Sequence, residues 1–503
     1  MKRASVGIGD AIILGLSSSG PAQTLAVSLA SLVAATAYGG AVALLVCFVP
    51  MLGIAVGYQR LNRWDQSSGA TYTWVARVFH PYLGFLAGWM ILLYYTLGTS
   101  SLTIPAGTYT LELIDARLID SPVAVAIAGG TWNILVTLLA LKGLRVAARF
   151  EWLVVVFQYL VLLLLAGAGL LALAQGRAAV AFSWDWFTLS GMGGMRGLMS
   201  GILIACFMYS GWDAAVYVNE ESRDRVNSPG HAAIASVVIL AVFYVVCVLG
   251  LQAVLTPQEL EAHAGDALAV IGERLLPGPW APLISIVVLT GTLATLQAAV
   301  ISAARIGFAM SRDRVMPAVL RRVDPDTGNP WAATLVMSAL NLILLGLALA
   351  TGSIGRALAN VASSLGLISI LFYGLTAAAA LWHNRRSLLR TPADFLLGGV
   401  LPGGGALFMA WVAVESVRSE ATSPQTLSYG LGSVALGLVV AALVHRYGNS
   451  AFFARGPARA AAAAPRPGPA PAGLVIDSVV AAGIDADLST HPSHRSMPSA
   501  ARE

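Results

Sequence analysis

Hydrophobic and polar positions segregate along this chain into long blocks, without the short alternation of a soluble fold. Apolar runs near 10–33, 37–58, 82–105, 122–141, 152–175 and 197–219 are each of membrane-crossing length. Six more lie near 232–255, 280–308, 332–351, 355–382, 394–415 and 427–447. The pattern predicts an all-α integral membrane domain of twelve helices over residues 1–448. Residues 67–80 predict a short amphipathic lead-in to the third crossing. The stretch "PQELEAHAGDALAVIGERLL" (257–276) predicts a polar amphipathic helix in an external loop. From about 449 to 503 the chain turns to "ARAAAAAPRPGPAPAG" and then to polar residues. Such composition builds no core and predicts a disordered cytoplasmic tail. His491 and His494 in that tail read as solvated side chains rather than a metal site.

Composition agrees with the blocks. Of 503 residues, 57% are hydrophobic and 11% charged, and the mean hydropathy is +0.75. A soluble domain carries about 25% charged residues, so this chain belongs in a lipid bilayer. The net charge of +5 is mostly arginine and reads as topology rather than nucleic-acid binding. When loops are assigned to alternate sides, nineteen Arg and Lys fall on the side of the N-terminus and six opposite, with five in the tail. The positive-inside rule then places both termini in the cytoplasm of a cell-membrane protein. No cleavable signal peptide is expected. Cys47, Cys206 and Cys247 sit in apolar runs, which argues against a disulfide framework or a zinc site. Lys2 and Lys142 are the only lysines, and Leu141 precedes Lys142, so no phosphate-binding G-x-x-x-x-G-K-[ST] loop exists. The glycine motifs "GIGD" (7–10) and "GMGG" (191–194) lack the strand-to-helix context of a nucleotide site. Uphill work would draw on an ion or solute gradient, and no cofactor is implied.

The first apolar run contains "ILGLSSSGPAQTLAVSL" (13–29), with Ser17, Ser18, Ser19 and Gly20 running into Pro21. A break here frees backbone groups, which a membrane tolerates only against protein or a watery cavity. A proline kink padded with small residues is the plainer alternative. The sixth run is also interrupted, at Tyr209, Ser210, Gly211, Trp212 and Asp213. Broken helices in corresponding positions of two successive five-helix sets point to a transporter's binding site. Half-helix amide ends suit a carboxylate, and carbonyl ends suit a cation. Phe207, Tyr209 and Trp212 could cover a substrate or stack on its cationic group.

These features resemble the amino acid–polyamine–organocation (APC) superfamily of permeases over about residues 5–450. The resemblance rests on the helix 1 break, "SSGATYTWVARVFHPYLGFLAGW" (67–89), "FMYSGWDAAVYVNEES" (207–222) followed by Pro229, and "ARIGFAMSRDRVMP" (304–317). It implies a five-plus-five inverted repeat like that of the leucine transporter, working by alternating access. It implies that Ser17, Ser18, Ser19 and Gly20 hold the substrate's polar end and that Phe207 gates it. Tyr209, Ser210 and Gly211 would offer carbonyls to an amine, with a contribution from Tyr94 or Tyr95. The substrate would be an amino acid or related amine, with H+ or Na+ as a coupling ion; a polyamine or organic-cation carrier is the alternative. Three features depart from the family, the first being Arg225 where the helix 6–7 loop usually has a proline. Helix 1 reads "SSSGPAQ" in place of a more glycine-rich break. Gln158 stands where some proton-coupled relatives carry a helix 5 lysine, and a neutral amide cannot cycle a proton.

Other polar residues carry two readings. Asp213 is a proton or amine site, or a structural carboxylate at the break. Glu220 and Glu221, beside Arg223 and Arg225, form a gate ion pair or, as favoured here, a solvated helix end. Thr290, Thr292 and Thr295 line a sodium site or bond back to their own helix, the latter favoured. Glu151 is read as solvated near the interface, and Gln158 as deeper and in need of a partner. Outside the transporter class, a membrane sensor would need a folded output domain and a channel a continuous polar path. An enzyme would need a motif such as H-E-x-x-H, which is absent.

Overall fold

The computed structural model describes residues 5–263, 267–276, 278–280, 282–350, 354–418, 424–448 and 450–455. Among the described residues the regular structure is helical, and an isolated bridge joins Val6 to Ser222. Twelve spans are long and apolar enough to cross a bilayer, as the hydrophobic blocks predict.

The first span, Ile8–Thr36, is two helices, α1 (Ile8–Ser19) and α2 (Pro21–Thr36). Then come α3 (Gly40–Trp64), the short α4 (Thr71–Val78), α5 (Pro81–Ile114), α6 (Pro122–Leu141) and α7 (Leu144–Ala174). The sixth span is also divided, into α8 (Gly194–Tyr209) and α9 (Ala214–Tyr217), with a 3-10 turn at Asn219–Glu221. After α10 (Ser228–Leu251) the connecting segment holds α11 (Pro257–Ala262) and α12 (Ala267–Leu275). The chain continues through α13 (Pro282–Arg312), α14 (Trp331–Ala350) and α15 (Ile354–Asn384). The eleventh span starts as α16 (Pro392–Phe395), passes a π-helical turn at Leu396–Val400 and becomes α17 (Leu401–Arg418). α18 (Pro424–Tyr447) is the twelfth, and α19 (Ser450–Arg455) follows it.

Both interruptions have local causes. Gly20 ends α1 with φ +53° and ψ +55°, its N–H bonding the Ser17 carbonyl at 3.0 Å. Pro21 then opens α2 at its first position, where the missing N–H costs nothing. In the sixth span, Ser210 is extended and Gly211 has φ +105°, a value open to glycine and strained for other residues.

α1 packs against α7, α10 and α13 and touches α9; α13 runs along α5, and α10 along α3. Small residues permit close helix approach. A Cβ on Gly169 of α7 would stand 1.9 Å from the Gly250 carbonyl oxygen of α10. Leu153 and Leu164 of α7, Ile127 of α6 and Val242 of α10 face outward and exposed, as a lipid-facing surface requires.

Three details differ from the sequence reading. The fifth span starts at Leu144, two turns before the hydropathy block, because Arg145, Arg149 and Glu151 lower the hydropathy of its first turns. The 257–276 segment is two short helices, with Leu260, Leu268 and Ile271 buried; residues 264–266 lie outside the described residues. The start of the supposed tail is α19, whose Phe452 and Phe453 are buried against Tyr72, Tyr82 and Phe85. Most of the tail, His491 and His494 included, lies outside the described residues.

Candidate functional site

The two breaks meet. A Cβ placed on Gly211 would lie 2.6 Å from the Ser18 carbonyl oxygen, and one on Gly15 would lie 2.9 Å from the Trp212 carbonyl oxygen. α13 closes the third side. The Thr295 hydroxyl reaches the Ser17 carbonyl at 2.9 Å and Gly291 of its own helix at 2.9 Å. Gly20 is held to glycine by its conformation and by this neighbour, since a Cβ would stand 2.6 Å from Thr295 Oγ1. Thr292 donates to Gln23 at 2.9 Å and back to Val288 at 2.7 Å. Thr292 and Thr295 therefore bond back to their own helix and also reach the first span. Thr290 bonds only within its helix, to Ile286 and Val287.

The three serines have different surroundings. Ser17 donates its hydroxyl to Glu151 of α7. Ser19 donates to the Gly15 carbonyl at 3.0 Å. Ser18 is buried, and its hydroxyl meets no hydrogen-bond criterion among the described residues but lies against Tyr95. In the sixth span, Ser210 bonds the Cys206 carbonyl at 2.9 Å and Ser369 of α15 at 3.2 Å. Phe207 is partly exposed. Tyr209 turns away from the breaks, its hydroxyl reaching the Leu44 carbonyl of α3 at 3.3 Å. Trp212 is fully buried and stacks on Tyr373 at 5.3 Å, with Tyr58 edge-on at 5.0 Å.

Asp213 is the hub of a tyrosine cluster. Tyr95 (3.3 Å) and Tyr373 (2.7 Å) donate to one oxygen, and Tyr217 (2.5 Å) donates to the other. Tyr373 also accepts the Gly211 amide at 3.0 Å, so α15 clasps the sixth-span break. Tyr94 packs edge-on against Tyr95 and Phe372. Tyr58, Tyr217 and Tyr373 escaped the sequence reading. Tyr217 was within reach of it, four residues after Asp213 on one helical face. Tyr58 and Tyr373 come from distant spans and left no local signal.

Three corrections concern charge. Glu221 is not at a solvated end; it forms a buried two-point ion pair with Arg305 at 2.9 and 3.1 Å, the side chains 5% and 2% exposed. Glu220 binds Arg312 at 2.9 Å and accepts the Ser68 amide at 2.8 Å. Asn219 joins them to Asn62 and Ser67, while Ser5 donates its amide to the Glu221 carbonyl at 2.9 Å. These contacts tie the end of the sixth span to the start of the chain, to the α3–α4 loop and to α13. Glu151 is likewise not solvated. It is 1% exposed, and its one hydrogen bond comes from Ser17. The hydropathy block began after Glu151 and so placed it at an edge, whereas α7 buries it against α1. Gln158, two turns deeper, is buried with neither amide atom hydrogen-bonded, its Oε1 resting over Gly291.

A twelve-span helical bundle whose first and sixth spans break against each other is a multi-pass membrane protein built around an interior polar site. The family model described as amino acid permease matches residues 10–440, and the chain belongs to that family. It is 24% identical to the human "Large neutral amino acids transporter small subunit 2" over 78% of this chain and 71% of that protein. It is 25% identical to the Escherichia coli K12 "Low-affinity putrescine importer PlaP" over 79% and 84%. It is also similar to the "Methylthioribose transporter" of Bacillus subtilis, at 24% over 60% and 66%. The family and these relatives are membrane transporters, not enzymes.

Proposed function

We propose that this permease carries an amino acid or a related amine across the cytoplasmic membrane by alternating access, with the substrate held between the two breaks. The contact of Gly211 with Ser18 is the observation that carries this reading. It brings the carbonyl end of α1, the amide end of α2 and the unwound Ser210–Asp213 segment together. An α-carboxylate would sit at the α2 amides with the Ser18 hydroxyl as a further donor, and an amine at the carbonyls of the sixth-span break. Gly20, Phe207 and Tyr94 would border the pocket. In this reading Asp213 and its tyrosines hold the break in shape, and the Glu221–Arg305 and Glu220–Arg312 pairs are the gate on the N-terminal side. The spacing of the breaks, five spans apart, supports an inverted repeat, and the arginine asymmetry supports cytoplasmic termini. The putrescine importer among the relatives supports a second reading, a polyamine or organic-cation carrier.

The test is uptake by purified protein in proteoliposomes, using labelled amino acids and polyamines. Sodium gradients, proton gradients and internal unlabelled solute would be compared. Saturable uptake of an amino acid is expected. Uptake of polyamines alone favours the second reading. Silence from folded protein across the whole panel contradicts both.

A further inference from the structure

We propose that Glu151 is a proton-binding site that couples protons to the first-span break, reached through a small cavity from the side where α1 begins. This rests on the transport reading above and adds the coupling ion and the residue that carries it.

Four observations converge on Glu151. It is a carboxyl group buried within a membrane-spanning helix, and an ionisable residue in that setting marks a proton relay or an ion path. Its one partner, the Ser17 hydroxyl, belongs to the break itself, three residues before the left-handed Gly20. Its second oxygen, Oε1, has no hydrogen-bond partner among the described residues. A small cavity adjoins it, lined by Leu14, Leu144, Val218, Ile301 and Asp10 of the first turn of α1. Asp10 is only partly buried and takes a hydrogen bond from Trp152, the neighbour of Glu151, at 3.0 Å.

Among the described residues no counter-charge is hydrogen-bonded or ion-paired to the carboxyl group. α1 presents Ser17 and Asp10, α9 presents no titratable group nearer than Tyr217, which is committed to Asp213, and α13 presents Ile301. Arg305 of α13 is committed to Glu221. On its own helix, Arg145 reaches the Ser5 carbonyl. Among the described residues α2, α6, α10 and α12 send no charged side chain into hydrogen-bond or ion-pair distance of Glu151.

The coupling follows from donor bookkeeping. An ionised carboxylate only accepts, so it fixes the Ser17 hydroxyl hydrogen toward α7. When a proton arrives by the cavity and binds Oε1, Glu151 becomes a neutral acid with its own donor. Oε2 is then a neutral carbonyl oxygen, a weaker acceptor than a carboxylate oxygen, so the Ser17 hydroxyl is held less tightly and turns more readily to a substrate carboxylate at the break. Release of substrate returns the hydroxyl to Glu151 as the proton leaves. One proton is bound and one lost per cycle.

The test uses full-length protein in nanodiscs and in proteoliposomes. Infrared difference spectra across a pH titration should show the carbonyl stretch of a protonated carboxylic acid. That band should vanish in Glu151→Gln, return at a shifted position in Glu151→Asp, and titrate at a different pH in Ser17→Ala. In proteoliposomes with a luminal pH dye, wild-type uptake should move protons with substrate, and Glu151→Gln should abolish the proton flux. A wild-type spectrum unchanged by Glu151→Gln overturns the proposal, as does substrate uptake with no proton flux. A Glu151 band in protein that moves no amino acid or amine supports the proton site and counts against the transport reading.

Discussion

The Gly211 backbone rests against the Ser18 carbonyl so closely that a single added carbon would come within 2.6 Å of it. Gly211 also sits at φ +105°. Gly211→Ala therefore meets both a collision and backbone strain of about 1–3 kcal/mol. Thermal unfolding in detergent should show a lower midpoint. Uptake should fall by about a hundredfold, the scale of a 1 Å misplacement at a reacting or binding geometry.

Asp213 and Tyr373 are joined at 2.7 Å, and Tyr373 also takes the Gly211 amide. Tyr373→Phe removes both bonds and should cost about 2–4 kcal/mol, combining a bond to a charged group with a neutral one. Tyr95→Phe removes only a 3.3 Å contact and should cost less. Unfolding midpoints of the two variants in one detergent check the order; equal effects would contradict the hub assignment.

The Glu221–Arg305 pair is buried on both sides. Truncating one partner strands the other, at a cost of about 3–5 kcal/mol. Arg305→Ala should destabilise strongly, and Arg305→Ala with Glu221→Ala should recover part of the loss. The exposed Arg274–Glu259 pair is the internal comparison, where truncation should change little. A double-mutant cycle read by thermal unfolding decides the matter.

Glu259 lies outside the membrane spans. Hydrogen bonds from Arg274 first, then from the Thr256 amide and hydroxyl, pull its pKa down from 4.5 to about 2. A depressed carboxyl stabilises the fold above its unfolded pKa and loses that contribution as pH falls through the folded value. The difference in midpoint between wild type and Glu259→Gln, small because the pair is exposed, should therefore be largest near pH 7. It should shrink from about pH 4.5 downward and be gone near pH 2.

The large features were legible because lipid imposes them. Twelve spans follow from the cost of unpaired backbone in hydrocarbon, and both breaks were readable from Ser17–Pro21 and Ser210–Asp213. What escaped was set by tertiary contact. Tyr373 and Tyr58 reach Asp213 and Trp212 from spans far away in sequence. Glu151 read as an interface residue because hydropathy averages around a helix and cannot see that one face meets α1. Glu221 looked solvated for the same reason, being a charged residue at a helix end whose partner, Arg305, comes from a span far away in sequence. Tyr209 illustrates the converse, an aromatic in the expected segment whose ring turns toward α3.

The central claim is that the two touching breaks hold the substrate. The most direct measurement is uptake by Gly211→Ala, Gly20→Ala and Gly176→Ala, each shown to be folded. Gly176 also has positive φ, but nothing lies within 4 Å of its Cβ position. The account predicts that uptake collapses in the first two and survives in Gly176→Ala. Wild-type uptake by folded Gly211→Ala would contradict it.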